Sequence, residues 1–200
     1  MGREDYDLII IGTGSGNTII TPEFDSWKIA IIEKGVFGGT CLNRGCIPSK
    51  MLVHVANTIC EIERGELIGV DASVNGLRWK DIVNRIYGRI DPIAEGGEEY
   101  RENLPNVTVY KGHAKFVDNK VIEVNGIQLC GHKIVVATGA KPFIPPIPGL
   151  SEIPYQTSDS IMRLDSLPKS LSIIGGGYIA TEIAHIFSSF GCRVTVFARG

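Results

Sequence analysis

The residues best suited to chemistry are two cysteines in the segment GGTCLNRGCIPSK, residues 38–50. Four residues separate Cys41 from Cys46, and a helical pattern follows, so the pair can close a small disulfide ring. Backbone amides at a helix N-terminus stabilise a thiolate. Lys50 stands one helical turn after Cys46 and adds positive charge. The segment therefore predicts an exchangeable redox disulfide.

A metal site is the first alternative for these cysteines, but a structural zinc site needs two more ligands at short spacing. The other cysteines are scattered, and the histidines form no pair: Cys60, Cys130, Cys192, His54, His113, His132 and His185. We predict no metal site. The three scattered cysteines are interpreted as small apolar residues, and His54 and His185 as packing or surface residues.

A glycine-rich turn, GTGSGN at residues 12–17, follows the first apolar run. Glycines at positions 12 and 14 let the backbone approach a pyrophosphate at the start of a helix. Glu33, 21 residues after Gly12, is placed to accept ribose hydroxyls. Asn17 departs from the usual glycine at the sixth position. The turn predicts a dinucleotide site, and an ordinary strand-to-helix turn is the alternative.

A second glycine turn, GGGYIA at residues 175–180, again lies between a strand and a helix. The next strand is followed by Ala198 and Arg199, where an acid would hold an unphosphorylated ribose. An arginine can bind a 2′-phosphate through charge-assisted hydrogen bonds. We therefore expect a preference for NADPH over NADH, although Arg199 can also be read as a solvated surface residue.

These turns need strands and helices to position them. Apolar β-type runs alternate with helical periodicity of three to four residues. Strands are predicted at 6–11, 28–33, 107–111, 114–117, 121–124, 127–130, 133–137, 171–174 and 193–197, and helices at 46–63, 79–103 and 178–190, with a short helical pattern between the first two strands. Asn125-Gly126 predicts a tight hairpin turn. The pattern predicts an α/β fold with a parallel sheet and a small antiparallel meander.

Four prolines between Lys141 and Pro148 stiffen the chain, and we place a domain boundary there. The prediction is a Rossmann-like domain over residues 1–148 and the start of a second Rossmann-like domain over residues 149–200. A single β-α-β unit cannot bury both faces of its sheet. The sequence is therefore expected to stop inside the second domain.

Composition excludes several classes of protein. The 200 residues are 44% hydrophobic and 21% charged, with a net charge of −2, so we expect no nucleic-acid or anionic membrane partner. No apolar run is long enough for a signal peptide or a membrane span. We interpret the protein as soluble and cytoplasmic.

The motifs together resemble a known family, the flavin-dependent disulfide oxidoreductases that include glutathione reductase and dihydrolipoamide dehydrogenase. The resemblance covers all 200 residues and rests on the first glycine turn with Glu33, GGTCLNRGCIPSK, ATG at 137–139 and GGGYIATE at 175–182. GTGSGN, GRIDPIAEGGEEYR at 88–101 and TSDSIMR at 157–163 are most similar to the branch that reduces mycothione.

This resemblance implies roles for individual residues. Cys41 resembles the interchange thiol that meets the substrate, Cys46 the charge-transfer thiol against the flavin, and Lys50 the lysine near that ring. FAD-contacting positions are Gly12, Gly14, Ser15, Gly16, Glu33, Thr40, Lys50, Ala114, Thr138 and Gly139. Positions of the NADPH site are Gly175, Gly177, Tyr178, Ile179, Glu182 and Arg199, of which Tyr178 would cover the flavin until NADPH displaces it.

The implied activity is NADPH-dependent reduction of a low-molecular-weight disulfide, with mycothione as the expected substrate, by a homodimer of longer chains. Dihydrolipoamide or glutathione chemistry is the alternative within the family, and Arg199 argues against the lipoamide enzymes. A non-catalytic dinucleotide-binding thiol switch is the alternative from another class. The family's acid-base histidine, oriented by a glutamate, has no counterpart in these residues, so we expect this chain alone not to turn over.

Overall fold

A computed structural model describes residues 3–199. Its strands are β1 (Arg3–Ile11), β2 (Ile29–Glu33), β3 (Val107–Lys111), β4 (Lys115–Asp118), β5 (Val121–Val124), β6 (Ile127–Val136), β7 (Ser170–Ile174) and β8 (Arg193–Phe197). Its α-helices are α1 (Gly39–Arg44), α2 (Cys46–Arg64), α3 (Trp79–Glu102) and α4 (Tyr178–Ser189). Within these residues, no helix is both long and apolar enough to cross a membrane.

Six strands form one sheet in the order β3-β2-β1-β6-β5-β4. The neighbours β3, β2, β1 and β6 run parallel, whereas β6, β5 and β4 form an antiparallel meander. Strand β6 thus belongs to both parts. The α/β prediction of a parallel sheet with a small meander is confirmed.

The chain divides into two compact units. The first takes the described residues up to Asn43 together with Ile90–Phe143, and it holds the whole six-stranded sheet. The second takes Arg44–Arg89 and the residues from Ile144 onward, and it holds β7 and β8. Each unit combines separate stretches of sequence, and the division falls within α3. The predicted boundary near residue 148 stays a prediction.

The central strands of the first unit are apolar on both faces. Ile9 and Ile11 of β1 pack with Ile32 and Ile122 in one cluster, whereas the other face of β1 packs against Phe37 in a second cluster. Because successive strand residues point to opposite faces, a strand covered on both sides must be apolar throughout. This explains why β1 and β2 appear in the sequence as continuous apolar runs.

The turn between β5 and β6 has the predicted hairpin geometry. Asn125 and Gly126 both have positive φ values, 51° and 78°, as a type I′ turn requires. Beyond this turn the prediction of two strands, 127–130 and 133–137, is wrong, because the chain stays extended through Gly131 as a single strand. Gly131 pairs with Tyr6 of β1, which continues the parallel ladder across the predicted break.

The connection from β1 to β2 also differs from the expected β-α-β unit. It contains two short 3₁₀ helices, Ser15–Ile19 and Pro22–Phe24, and no α-helix among the described residues. The run Thr18–Thr21 is β-branched throughout, which disfavours an α-helix. Pro22 lacks the amide hydrogen that would continue one. The first glycine turn is therefore followed by a tighter and shorter helix than predicted.

In the second unit, β7 and β8 are parallel and α4 connects them, as predicted. Helix α2 packs beside α4, where the Cys60 sulfur lies 3.3 Å from the Ser189 hydroxyl. One turn away, His185 Nε2 lies 2.8 Å from Asn57 Oδ1. The helices that begin with Cys46 and Tyr178 therefore belong to one compact body.

Candidate active site

The first glycine turn lies at the carboxyl end of β1. The Gly12 amide donates to the Ile32 carbonyl at 2.8 Å, and Gly12 has a φ of +105°. A Cβ atom at this position would lie 2.3 Å from the Ala137 carbonyl oxygen, and one at Gly16 would lie 2.2 Å from the Ala137 Cβ. Only residues without a side chain allow this turn to approach Ala137, directly after β6, so closely.

The segment that carries the first redox cysteine begins against this turn. Helix α1 starts at Gly39, where a Cβ atom would lie 2.6 Å from the Gly14 Cα. The preceding residue, Gly38, donates its amide to the Thr13 carbonyl at 3.2 Å. Thr40 and Cys41 follow within α1. Backbone packing thus joins the cysteine segment to the turn expected to hold a dinucleotide.

Glu33 lies at the end of β2, and its carboxylate is held by neighbouring donors. Oε2 accepts hydrogen bonds from the Thr13 amide at 2.9 Å and the Thr13 hydroxyl at 2.8 Å, and Oε1 accepts one from the Gly35 amide at 2.8 Å. A carboxylate has about four acceptor positions, so it retains capacity for a ribose hydroxyl. Sequence reasoning missed Thr13, whose 3% exposure makes it one of the buried polar residues.

Replacing Glu33 with Gln places an amide group where three donors converge. One donor then faces another, and we expect a loss of roughly 1–3 kcal/mol in the free energy of unfolding. FAD affinity is expected to fall about tenfold through the lost ribose contact. Chemical denaturation and flavin fluorescence titration measure the two effects. Glu95→Gln, on the exposed side of α3, is the control; equal effects of the two substitutions would contradict the assignment.

The other predicted flavin positions of the first unit lie at the same edge of the sheet. The Gly112 amide donates to the Glu33 carbonyl at 2.8 Å, which places the segment leading to Ala114 beside the end of β2. A Cβ atom at Gly12 would lie 3.5 Å from the Thr138 Cα, and Gly139 follows. In parallel α/β sheets this edge, at the carboxyl ends of the strands, is where ligands bind.

Asn17 and Arg101 add polar groups beside the first turn. The Arg101 guanidinium donates to the Asn17 carbonyl at 2.9 Å. Burial lowers the pKa of Arg101, yet a guanidinium stays charged in proteins. Asn17 Oδ1 is buried and finds no hydrogen-bond partner among residues 3–199. The turn therefore combines a nearby positive charge with an unsatisfied acceptor.

Cys41 lies in α1 and Cys46 is the first residue of α2, and both are exposed thiols. Asn43, between them, is 9% exposed, and its Nδ2 donates to the Phe37 carbonyl at 2.7 Å and the Gly39 carbonyl at 3.1 Å. It thereby braces the turn that leads into α1. The sequence analysis did not single out Asn43. Its position between the two redox cysteines was the signal that could have identified it.

Helix α2 begins at Cys46. Gly45 is the N-cap, and the Ser49 amide donates to the Gly45 carbonyl at 3.0 Å. Pro48 is accommodated because amides of the first turn have no intrahelical partner. No acidic residue occupies that turn, and Lys50 follows Cys46 by one turn with its side chain exposed. Dipole and side-chain charge are therefore both positive at this helix end.

The second glycine turn connects β7 with α4 in the second unit. The Gly175 amide donates to the Phe197 carbonyl at 2.9 Å, and Gly177 is the N-cap of the helix. A helix of 12 residues presents several unpaired amides at its start, which suit a phosphate. Tyr178, the first helical residue, is 84% exposed.

The remaining predicted nucleotide positions in this unit are also accessible. Ile179 and Glu182 lie exposed on the first turns of α4, and Arg199 is exposed two residues after β8. A Cβ atom at Gly176 would lie 3.0 Å from the Ala198 Cβ, so the turn and the segment after β8 are adjacent. The second turn therefore also has the features of a dinucleotide site.

The other cysteines have different surroundings. Cys192 is buried, and burial raises the pKa of its thiol, which disfavours the reactive thiolate form. Cys60 contacts Ser189, as described above. Cys130 departs from the interpretation as a purely apolar residue, because the Arg3 guanidinium lies 2.7 Å from its sulfur.

The residues present fit an FAD molecule in the first unit. The close approach at Gly12 and the contact of Gly39 with Gly14 leave backbone, and no side chain, where a pyrophosphate would lie. Glu33 retains acceptor capacity for ribose, and Asn17 Oδ1 is a buried acceptor without a protein donor in the described part of the chain.

Comparison with known proteins identifies a family and several relatives of this chain. The sequence model of the family described as pyridine nucleotide-disulphide oxidoreductase matches residues 6–200. Mycothione reductase of Mycobacterium tuberculosis (strain ATCC 25618 / H37Rv) is 45% identical over 98% of this chain and 44% of its own length. Glutathione reductase of Nostoc sp. is 34% identical over 98% of this chain and 42% of its own length.

Among solved structures, the HOCl-induced flavoprotein disulfide reductase RclA from Escherichia coli superposes with a TM-score of 0.81 at 33% identity. The match covers 96% of this chain and 41% of RclA. The chain therefore spans less than half the length of these relatives. It shares sequence with all three and its fold with RclA.

Proposed function

Because the chain belongs to the pyridine nucleotide-disulphide oxidoreductase family, we propose that it contributes the FAD turn, the redox cysteines and the start of the NADPH site to a reductase of low-molecular-weight disulfides. The proposed substrate is mycothione. It is supported by the 45% identity to a mycothione reductase over 98% of this chain. We further propose that the complete protein is a cytoplasmic homodimer, as its resemblance to the family implies.

One observation carries this proposal above the others. The helix that contains Cys41 begins at Gly39, which packs directly on Gly14 of the first glycine turn. A domain that only binds a dinucleotide does not require a cysteine-bearing helix packed on this turn. A redox enzyme does, because the electron donor and the disulfide must lie close together.

When bound, FAD supplies the two-electron chemistry that links NADPH to a protein disulfide. The chain's own thiols then carry out exchange. The Cys41 thiolate attacks one sulfur of the substrate disulfide, and the first substrate thiol leaves as a thiolate that takes up a proton. The Cys46 thiolate attacks the Cys41 sulfur, which releases the second substrate thiol and re-forms the Cys41–Cys46 bond. One disulfide is reduced for each pair of protein thiols oxidised.

The remaining residues bind and orient. The proposed FAD ligands of the first unit are Gly12, Gly14, Ser15, Gly16, Glu33, Thr40, Ala114, Thr138 and Gly139. Lys50 adds positive charge on α2. The proposed NADPH ligands are Gly175, Gly177, Tyr178, Ile179, Glu182 and Arg199. Tyr178 is a suitable cover for a ring system because its aromatic side chain is exposed.

Arg199→Glu is expected to lower the ratio of kcat/KM for NADPH to that for NADH by about 100-fold, since a favourable charge-assisted hydrogen bond becomes a repulsion. The matched control is Arg193→Glu, at the start of the same strand β8. Steady-state kinetics with both nucleotides give the ratio. If it is unchanged in Arg199→Glu, this residue does not contact the 2′-phosphate.

The proposed function is tested with the complete gene product that contains these residues. Reduction of mycothione, glutathione disulfide and lipoamide by NADPH is followed at equal enzyme concentration, and light scattering gives the oligomeric state. We expect kcat/KM to be highest for mycothione. A higher kcat/KM for glutathione disulfide or lipoamide would identify that disulfide as the substrate in place of mycothione. Reduction of none of the three would favour a non-catalytic thiol switch.

A further inference from the structure

Arg44 lies inside the ring that the two redox cysteines would close, three residues after Cys41 and two before Cys46. It is the last residue of α1. Residues three apart on a helix occupy neighbouring positions on its surface. Between Gly38 and Ser49 it is also the single charged side chain. Its charge therefore stands at the segment that a substrate disulfide must approach.

This charge is paired. Arg44 Nη1 lies 3.5 Å from Asp159 Oδ2, and both residues belong to the second compact unit. The two side chains are 43% and 37% exposed. An exposed pair of this kind contributes about 0–1 kcal/mol to stability, so its presence is not explained by a need to stabilise the fold.

Asp159 is held in place by its own turn. Its amide donates to the Thr157 hydroxyl at 3.2 Å, and the Thr157 amide donates to the Ser160 hydroxyl at 3.1 Å. Ile161 and Met162, which follow Ser160, are buried. The carboxylate is thus presented from an ordered turn.

The segment beyond this turn is anchored at two further points. Trp79 Nε1 donates to the Leu164 carbonyl at 2.7 Å. The Arg163 guanidinium lies 3.5 Å from the centroid of the Tyr87 ring, a cation–π contact. The segment that carries Asp159 is therefore held by several contacts, and Asp159 pairs with Arg44 from this ordered segment.

We propose that the Arg44–Asp159 ion pair is a specificity determinant. Asp159 offsets the charge of Arg44, which lies between the redox cysteines in the sequence, and the pair thereby favours disulfides without net charge. The inference rests on the proposed function and deepens it. An unpaired guanidinium would attract anionic disulfides such as that of glutathione, whereas a close pair of opposite charges has a field that decays faster than that of one charge. Arg44 and Asp159 act on the encounter and take no part in the exchange reaction.

The test compares two alkylating reagents that differ in charge. Reduced protein is treated with iodoacetate or iodoacetamide at one pH, and labelling of Cys41 is followed by peptide mass spectrometry. Asp159→Asn exposes the Arg44 charge and is expected to raise the iodoacetate-to-iodoacetamide rate ratio about threefold to tenfold. Arg44→Gln exposes the Asp159 charge and is expected to lower it by a similar factor. The double variant is expected to return to the wild-type ratio.

Two controls separate this electrostatic role from a structural one. The ratio at Cys130, which lies beside Arg3, must not change between variants. Salt at about 0.5 M must reduce the differences at Cys41 through screening. Shifts in the same direction for both single variants, or no shift in either, would overturn the proposal.

A second measurement uses the complete gene product with NADPH. Asp159→Asn is expected to raise kcat/KM for glutathione disulfide relative to mycothione, and Arg44→Gln to lower it, each by about threefold to tenfold. The alkylation ratio requires neither NADPH nor flavin. A protein that reduces no disulfide would therefore refute the proposed function, while the ratio at Cys41 would still decide the role of the ion pair.

Discussion

A Cys46→Ser variant of the complete gene product is expected to lose NADPH-dependent disulfide reduction by at least about 10³-fold. The reason is that Cys46 is the thiol proposed to release the second half of the substrate. Cys41 can still attack a disulfide, but the mixed disulfide it forms has no resolving partner. Intact-protein mass spectrometry should then show one substrate half bound to Cys41, with one equivalent of thiol released.

The matched control for this variant lies on the same helix. Cys60→Ser, further along α2, changes a cysteine whose sulfur contacts the Ser189 hydroxyl. We expect Cys60→Ser to retain activity and Cys46→Ser to retain FAD, since neither sulfur is a proposed ligand of the pyrophosphate or ribose. Sustained turnover in Cys46→Ser would show that another residue resolves the mixed disulfide.

Gly12→Ala is expected to weaken FAD binding, with an increase in Kd of at least about 100-fold. Two effects combine at this position. The backbone φ of +105° is strained for any residue with a Cβ atom, and that atom would lie 2.3 Å from the Ala137 carbonyl oxygen. Strain of this kind costs about 1–3 kcal/mol before any clash is counted, and relieving the clash must move Ala137 away from the turn.

Gly96→Ala is the matched control for Gly12→Ala. Gly96 lies exposed in α3, and a Cβ atom there would meet nothing within 4 Å. Alanine is the better helix former by about 1 kcal/mol, so this change should stabilise the protein and leave FAD affinity unchanged. Denaturant unfolding and flavin titration are measured on both variants. Wild-type FAD affinity in Gly12→Ala would show that the flavin does not use this turn.

Much of the fold could be predicted because the relevant patterns are local. The apolar runs of β1 and β2 indicated buried parallel strands, and Asn125-Gly126 indicated the hairpin before β6, since both turn residues must adopt positive φ. The periodicity of α2 marked that helix to within one residue at its end. In each case a few consecutive residues carry the whole signal.

The failures have a common cause. The α-helix expected between β1 and β2 is replaced by two 3₁₀ helices, because the β-branched run before Pro22 outweighs the expectation drawn from the glycine turn. The break expected within β6 is absent, because the pairing of Gly131 with Tyr6 keeps the chain extended. Such pairing with a distant strand leaves no mark on the residues beside the predicted break.

The sequence by itself determined the family, the cysteine pair and the two glycine turns, because ring size and backbone freedom depend on residues close together in the chain. Only the tertiary structure decided which groups support them. Thr13 occupies part of the hydrogen-bonding capacity of the Glu33 carboxylate, Asn43 holds the start of α1, and Asp159 forms an ion pair with Arg44. The Thr13 and Asp159 contacts join residues distant in sequence, and the pairing of strands and the packing of anchored turns bring them together.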